Sequence, residues 1–594
     1  MPLLIIRYCC RARFAPSARR SSRVVFGGTK VSSLLSTTSV ITVSGMAGVT
    51  APFSSSSPTG SPATTGGGIR PSPSLVDQDL DESGLEQGLN ESGRDGEGDG
   101  GHNQLLRLGG DGANVESDIE TKLAANELKN WRWLADRSPG FAVKGSNVHV
   151  ITCPNVFYKT LLDKVSSAKK RISLASLYLG NGTLEHDLVE AIQNSVTNHP
   201  DLKVNVLLDY TRGSRGEDNS RTMLQPLLQQ SDACHVFLYH TPTLRGLVKR
   251  WLPPRWNEII GLQHMKIYLF DDSVVISGAN LSNDYFTNRQ DRYLLIEDSP
   301  ELADFFDSLV HKVSHFSFSV NAKDELNLSP GWAIHPSDGN KEEFVKQAKG
   351  SIISFYEEWK QSNPERLRSF LQKPDKIGSS SIKDDTWIFP LIQMGALDVF
   401  MDHEATCEVF KRAPLSSTVK LATGYFNLTS EYINTIVGNS SASYEILMAH
   451  PKANGFLGAR GFAGGIPAAY TLLARKFFEN VRSQGQHKRI SMWEYIRPKW
   501  TFHAKGLWFY PVGAKLPMIT LVGSPNFGHR SVHRDLETQL YLITLNKGLR
   551  ENLNLEQANV FENAKPFSSL EIVKPERSVP MWVRMVILIF RNFF

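Results

Sequence analysis

From Leu123 onward, short apolar runs alternate with stretches whose apolar residues return at helical spacing. The runs Ile172–Leu179, Val204–Tyr210, His235–Tyr239, Lys266–Phe270, Val274–Ser277 and Tyr293–Glu297 predict strands. Phe157–Arg171 sets Leu161, Leu162, Val165 and Ala168 on one face, and Leu184–Val196 is periodic in the same way, so both predict helices. Such alternation predicts an α/β fold. The order then recurs. Val419–Phe426 echoes Ile172–Leu179, and Tyr444–Ala449 echoes Val204–Tyr210. Gly506–Tyr510, Met518–Val522 and Gln539–Thr544 echo the last three strands. The folded part therefore divides into two similar halves, 123–330 and 396–565, joined by a connection over 331–395 that is helical around Glu342–Gln361.

Upstream the pattern disappears and charge takes over. Residues 1–76 hold seven Arg and one Lys with no acid, whereas residues 77–120 hold thirteen acids against Arg94 and Arg107. An acid-free start rich in Arg, Ser and Ala predicts a mitochondrial transit peptide over 1–53. A secretory signal fits less well, because Leu3-Leu4-Ile5-Ile6 is too short for its apolar region. Residues 54–122, Ser/Gly/Pro-rich and then acidic, predict a disordered linker.

The rest of the chain carries a modest positive excess, which suits an anionic substrate or an anionic membrane surface better than a nucleic acid. Its five cysteines show no CxxC pair or ligand spacing, so neither a disulfide framework nor a zinc site is expected. No run of 18 uncharged apolar residues occurs, which argues against a conventional spanning helix.

The chemistry sits at matching places in the two halves. The first reads His264-Met-Lys266-Ile-Tyr-Leu-Phe-Asp271, then Ser277-Gly-Ala-Asn280, then Asp291 eleven residues on. The second reads His503-Ala-Lys505-Gly-Leu-Trp-Phe-Tyr510, then Gly523-Ser524-Pro-Asn526, then Glu537 at the same offset. On a strand, His and Lys two apart share a face, and polar pairs among apolar neighbours are costly unless used. A neutral imidazole is a competent nucleophile near neutral pH, and its protonated form a competent acid. Asp291 and Glu537 are placed to accept a ring N–H, while Lys266 and Lys505 can offset phosphoryl charge without a metal or other cofactor.

This doubled constellation resembles the phospholipase D superfamily, whose signature HxKxxxxD with a following GSxN occurs twice per site. The resemblance covers most of residues 130–550. It implies two pseudo-repeated α/β/α sandwich halves sharing one active site. In that reading one of His264 and His503 becomes a phosphohistidine while the other protonates the leaving group. Lys266, Lys505, Asn280 and Asn526 hold phosphoryl oxygens, with Ser524 also placed at the substrate, and Asp291 and Glu537 orient the imidazoles. Asp271 joins the catalytic set as the motif Asp, although on a continuous strand it faces away from Lys266 and braces the strand instead. Tyr510 stands where the family has Asp.

Within the superfamily, Ser173–Gly180, Leu207–Arg215, Gly261–Lys266, Tyr285–Arg292 and Ala453–Tyr470 are similar to its phosphatidyltransferases. That likeness implies CDP-diacylglycerol as donor, glycerol 3-phosphate as acceptor and CMP as leaving group, at the mitochondrial inner membrane surface. Rival readings are a hydrolase of the same fold, another phosphatidyltransferase, and a scaffold that has lost activity. The C-terminal segment 566–594 is apolar, aromatic and basic, too short to span a bilayer. It either lies in the membrane interface or packs back on the body.

Overall fold

The computed structural model describes residues 119–251, 254–362, 364–371, 385–459 and 461–591. The expected transit peptide and nearly all of the expected linker lie outside the described residues. Order begins slightly earlier than the sequence predicts: Glu120 is buried, with its carboxylate 3.0 Å from the Arg550 guanidinium.

Two nine-stranded sheets carry the described chain. In the first half, α1 (Pro154–Ser167) opens on a proline and buries Phe157, Leu161 and Val165 at one-turn spacing. Three parallel strands follow, β1 (Arg171–Ala175), β2 (Lys203–Asp209) and β3 (Cys234–Tyr239), with α2 (Thr183–Asn198) between the first two. Antiparallel β4 (Ile267–Phe270), β5 (Ser273–Ser277) and β6 (Tyr293–Ile296) complete the core order β3-β2-β1-β4-β5-β6, and α3 (Pro300–His315) follows. Every residue of β4 and β6 is buried, so both faces of this sheet must be covered. Helices α1 and α2 cover one face. On the other, Ile267, Leu269, Ile276 and Leu294 meet Trp508, Val522, Leu540 and Leu542 of the second half in one continuous core.

The connecting helix α4 (Lys341–Ser362) spans the expected helical stretch. The second sheet is built from β7 (Thr386–Met394), β8 (Thr418–Thr423), β9 (Ser443–Ala449), β10 (Ile490–Tyr495), β11 (Gly506–Tyr510), β12 (Ile519–Gly523) and β13 (Leu536–Thr544). Its order β10-β9-β8-β11-β12-β13 repeats that of the first sheet, strand for strand and direction for direction. The pseudo-repeat is therefore a property of the fold. Helix α5 (Ile466–Ser483) joins β9 to β10, α6 (Lys547–Phe561) follows β13, and α7 (Met581–Phe590) ends the described chain.

Two boundaries differ from the sequence reading. Strand Phe141–Val143, expected in the first half, pairs antiparallel with β7 in the second sheet. Upstream of it Trp131 packs edge-on against Phe509 at 4.9 Å, so burial of that indole draws residues 119–143 across. β7 itself, expected in the connection, pairs with β13 over nine residues, and all nine of its side chains are buried. The edge of β13 needs a partner, and an apolar strand supplies it.

Candidate active site

Both His-x-Lys pairs sit on extended lead-ins to β4 and β11, which is a correction to their expected place on the strands. The lead-ins leave their own sheet to bond the opposite half. His264 N donates to Leu536 O and Leu536 N to Leu262 O, both at 2.8 Å. Correspondingly, Thr501–Phe502 pairs in parallel with Arg289–Gln290, and His503 N donates to Gln290 O at 2.8 Å. The residue after Leu536 is Glu537, and the residue after Gln290 is Asp291. Backbone pairing thus delivers each histidine to the other half's carboxylate. His264 Nδ1–H donates to Glu537 Oε2 at 2.8 Å, and His503 Nδ1–H to Asp291 Oδ2 at 2.6 Å.

The lysines fold back on the same backbone. Lys266 Nζ donates to His264 O at 2.7 Å and Lys505 Nζ to His503 O at 2.8 Å, the latter also lying 3.9 Å from Asp291. Gly278, in the first Ser-Gly-Ala-Asn element, is where this approach is closest. A Cβ there would stand 2.6 Å from Asp291 Oδ1 and 3.1 Å from the Lys505 chain. Gly506 is equally constrained, with φ +111° and Leu521 O where a Cβ would go.

Burial sets the charge states. It pushes His264 down and His503 well down, the latter helped by Lys505, Arg289 and Lys266. Burial likewise lowers Lys266 far below its usual range and Lys505 to about 8. Asp291 is raised by burial to about 6, against the pull of Lys505. For Glu537 burial acts upward but is outweighed by His264 and Lys266, and the carboxyl stays below its usual value. Neutral imidazoles and ionised carboxylates beside a cationic Lys505 make a site that can receive an anion, whose own negative charge favours the ammonium form of Lys266.

Among the described residues, Asn280 and Asn526 have no hydrogen-bond partner at Oδ1, nor Glu537 at Oε1, although all three atoms are buried. Ser524 Oγ accepts from Thr538 N at 3.2 Å, on the strand that carries Glu537. The geometry therefore brings together His264, Lys266, His503, Lys505, Asp291 and Glu537, with Asn280, Ser524 and Asn526 on the loops after β5 and β12. It does not bring Asp271 in. Asp271 turns the chain between β4 and β5 at φ +50°, its carboxylate accepting from the backbone N–H of Lys169, Lys170 and Arg171. This corrects its grouping with the catalytic residues. Tyr510 ends β11 and donates to Asn554 Oδ1 at 3.0 Å, likewise a bracing contact.

Replacing Asp271 with Asn should therefore cost about 1 kcal/mol of stability, less than the roughly 1.5–3 kcal/mol of a buried charged hydrogen bond because the group is partly exposed. Tyr510→Phe should cost about 0.5–1.5 kcal/mol for one lost hydrogen bond. Both variants should keep most of their turnover. Loss of kcat at unchanged Tm in either would make that residue part of the chemistry.

Several groups at the site escaped the sequence reading. Tyr285 and Tyr425 stand edge-on to the His503 ring at 5.1 and 5.6 Å, and Tyr285 Oη is 3.4 Å from His503 Nε2. Their role left no local signal, since Tyr285 in the short helix Asn283–Thr287 and Tyr425 just after β8 look like core. Gln263 is fully buried and locks the first lead-in through Ser176 O, Leu207 O and Met265 N, while its own N–H donates to Asp209 at 3.0 Å. Arg292 crosses from β6's lead-in to Glu556 at 2.8–2.9 Å and stacks over Trp508, fastening Asp291 to the second half. Two arginines of the first half are held by structural partners: Arg215 pairs with Glu258 and Arg245 donates to Gly339 O.

Comparison with known proteins bears on the same residues. A family model described as "Cardiolipin synthase, PLD-like domain" matches residues 161–312. The mitochondrial CDP-diacylglycerol–glycerol-3-phosphate 3-phosphatidyltransferase of Gallus gallus is 43% identical over 499 residues, covering 81% of this chain and 89% of that protein. The enzyme of the same name from Homo sapiens is 42% identical over 487 residues, covering 80% and 87%. A probable one from Dictyostelium discoideum is 38% identical, covering 77% and 80%. The crystal structure of phosphatidylserine synthase from Haemophilus influenzae Rd KW20 shares the fold, with a TM-score of 0.58 at 20% identity over 78% of this chain and 96% of that one.

Proposed function

Because this chain belongs to the family of CDP-diacylglycerol–glycerol-3-phosphate 3-phosphatidyltransferases, built on the phospholipase D-like fold, we propose that its paired site moves a phosphatidyl group from CDP-diacylglycerol to glycerol 3-phosphate by way of a phosphohistidine. The observation that carries the mechanism is the crossed pairing of each histidine with the other half's carboxylate. An Nδ1–H held by a carboxylate leaves Nε2 as the reactive nitrogen.

His264 is the nucleophile in this reading. Its side chain is 12% exposed against 3% for His503, whose Nε2 already has the Tyr285 hydroxyl beside it. Nε2 of neutral His264 attacks the phosphorus that bears the diacylglycerol. The P–O bond to the cytidylate breaks, and CMP leaves with a proton from His503. Glu537 balances the positive charge on the phosphorylated ring. Neutral His503 then takes the proton of the glycerol 3-phosphate hydroxyl, whose oxygen attacks phosphorus, breaks the P–N bond and restores His264. Lys266, Lys505, Asn280, Ser524 and Asn526 hold the phosphoryl oxygens. His503 must be protonated for the first half, and the donor's diphosphate brings the negative charge that offsets its lowered pKa.

Continuous CMP turnover that requires glycerol 3-phosphate, beyond the one CMP per site released when the intermediate forms, tests the assignment, since a hydrolase of this fold would keep releasing CMP in water alone. A pH profile tests the charge states. Below about pH 6 Asp291 protonates and stops accepting from His503; above about pH 8 Lys505 loses its charge. kcat/KM for CDP-diacylglycerol, which reports the free enzyme, should therefore form a bell between those limbs. A flat profile from pH 5 to 9 would sink this account of the site.

The likeness to relatives named mitochondrial supports a mitochondrial location, and the lipid donor supports the inner membrane surface. No described helix is long and apolar enough to cross a membrane. The two sequence readings of the tail meet in α7, which buries Val583 and Ile587 against Ala469 and Leu473 of α5 while Met581, Trp582, Met585 and Leu588 stay exposed. We assign that exposed face to the interfacial layer of the membrane. Deleting 579–594 would also uncover α5, so Met585→Ser with Leu588→Ser is the cleaner probe. This pair should weaken binding to liposomes and spare turnover on detergent-dispersed substrate. Unchanged liposome binding would remove the membrane role of α7.

A further inference from the structure

A cavity of about 500 Å³ lies between α5 and the C-terminal segment, away from both histidines. Its walls carry Arg475, Lys476, Lys574 and Arg584 beside apolar Leu472 and Val579. Deeper in, Arg577 is fully buried and neutralised by Glu494, 2.7 Å from its Nη1, so the floor is uncharged overall. Among the described residues Glu479 is the acid on the lining and pairs with Arg475 at 2.8 Å, while Lys574 pairs with Glu571 at 2.6 Å. Among the described residues, Lys476 and Arg584 have no carboxylate partner; Arg584 donates only to Val579 O at 3.1 Å. The wall thus keeps two uncompensated cations next to an apolar lining.

The lips of the cavity point to the occupant. Arg584 lies on α7, whose Met585 and Leu588 are 56% and 73% exposed, and Val573 on the cavity lining is 74% exposed. A free anion has no use for apolar lips, and a nucleic acid would call for a longer run of cations. An amphiphile with a negative headgroup and acyl chains matches both parts. The volume also lies within the usual range for a small-molecule site.

We propose that this cavity is a second lipid site, taking the phosphate headgroup of an anionic phospholipid in the membrane surface between Lys476 and Arg584. The proposal rests on the membrane role assigned to α7 and adds a headgroup-selective contact to it. Product and donor lipids of the reaction are themselves anionic phospholipids, so the site would hold the enzyme where its reaction takes place.

The test is co-sedimentation of the full chain with three kinds of vesicle: phosphatidylcholine alone, phosphatidylcholine with phosphatidylglycerol, and phosphatidylcholine with oleate at matched surface charge. The wild type should prefer phosphatidylglycerol vesicles over oleate ones. Lys476→Gln with Arg584→Gln should lower partitioning to phosphatidylglycerol vesicles about thirty-fold, the sum expected for two basic residues at a membrane surface. Binding to phosphatidylcholine and the Tm should stay as they were. Lys346→Gln with Lys349→Gln on α4, which removes the same charge elsewhere, should change nothing. Equal loss from both pairs, equal affinity for phosphatidylglycerol and oleate, or no loss from the cavity pair would each overturn the headgroup site. The Met585→Ser, Leu588→Ser variant separates the two readings. If it alone loses binding, the membrane face stands and the headgroup site falls; if neither variant loses binding, both fall.

Discussion

Replacing either His264 or His503 with Ala should abolish phosphatidyl transfer, by about 10²-fold at the least, and the double variant should be scarcely worse than either single one. The reason is the division of labour across the pseudo-repeat. In the proposed mechanism one ring makes and breaks the bond to phosphorus while the other moves the proton, so losing either stops the same cycle. Simple additivity would instead multiply the two losses, the outcome for two rings that each contribute binding alone. His503 is buried and His264 only slightly exposed, and each truncation also leaves a buried carboxylate without its N–H partner, Glu537 in one case and Asp291 in the other. A melting curve therefore accompanies the assay, and the glutamine variants His264→Gln and His503→Gln keep a polar group in each place. Retention of more than about a tenth of the activity in any of these, folded as the wild type is, would end the two-histidine mechanism.

The parts of this site that could be read from sequence are those where chemistry overrides packing. β13 runs Leu-Glu-Thr-Gln-Leu-Tyr-Leu-Ile-Thr with all nine residues buried, and a glutamate has no place in such a strand unless it is used. The same logic exposes Lys266 and Lys505, polar residues at the mouths of apolar strands. The repeated offset from Asn280 to Asp291 and from Asn526 to Glu537 then made the two halves comparable, and the strand orders of the two sheets repeat accordingly.

What stayed hidden depends on contacts between residues far apart in the chain. That His264 takes Glu537 and not Asp291 follows from the parallel bridge of Gln263 with Leu536, which no local pattern encodes. The crossing of Phe141–Val143 to the second sheet depends on where Trp131 finds a pocket, another long-range matter. Asp271 misled in the other direction. It shares the motif with His264, yet its backbone is in the left-handed region that suits a turn, and its oxygens are occupied by three main-chain N–H groups. Tyr425 gave no signal, and Tyr285 none beyond its place in the Tyr285–Arg292 stretch, because an aromatic ring against the His503 imidazole has the same sequence signature as one against leucine.

The crossed carboxylates lead to the most discriminating result expected of this enzyme. Glu537→Gln and Asp291→Asn should each cost about 10²–10⁴-fold in kcat, because an amide beside Nδ1 no longer fixes the tautomer or balances an imidazolium. They should fail at different places, however, and each should resemble the loss of the histidine in the opposite half. Glu537 serves His264, so Glu537→Gln should suppress formation of the covalent intermediate. Asp291 serves His503, whose work in the second step is to deprotonate the acceptor. In Asp291→Asn the intermediate should still form slowly and then persist when glycerol 3-phosphate is supplied. With CDP-diacylglycerol labelled in its diacylglycerol phosphate, Asp291→Asn should retain label on the protein and Glu537→Gln should not. Mapping should place that label on Nε2 of His264, the nitrogen left free by the Glu537 bond. Label trapped by Glu537→Gln, or found on His503, would reverse the two roles while keeping the crossed geometry. Label trapped by neither, in variants that melt as the wild type does, would leave the phosphohistidine itself without support.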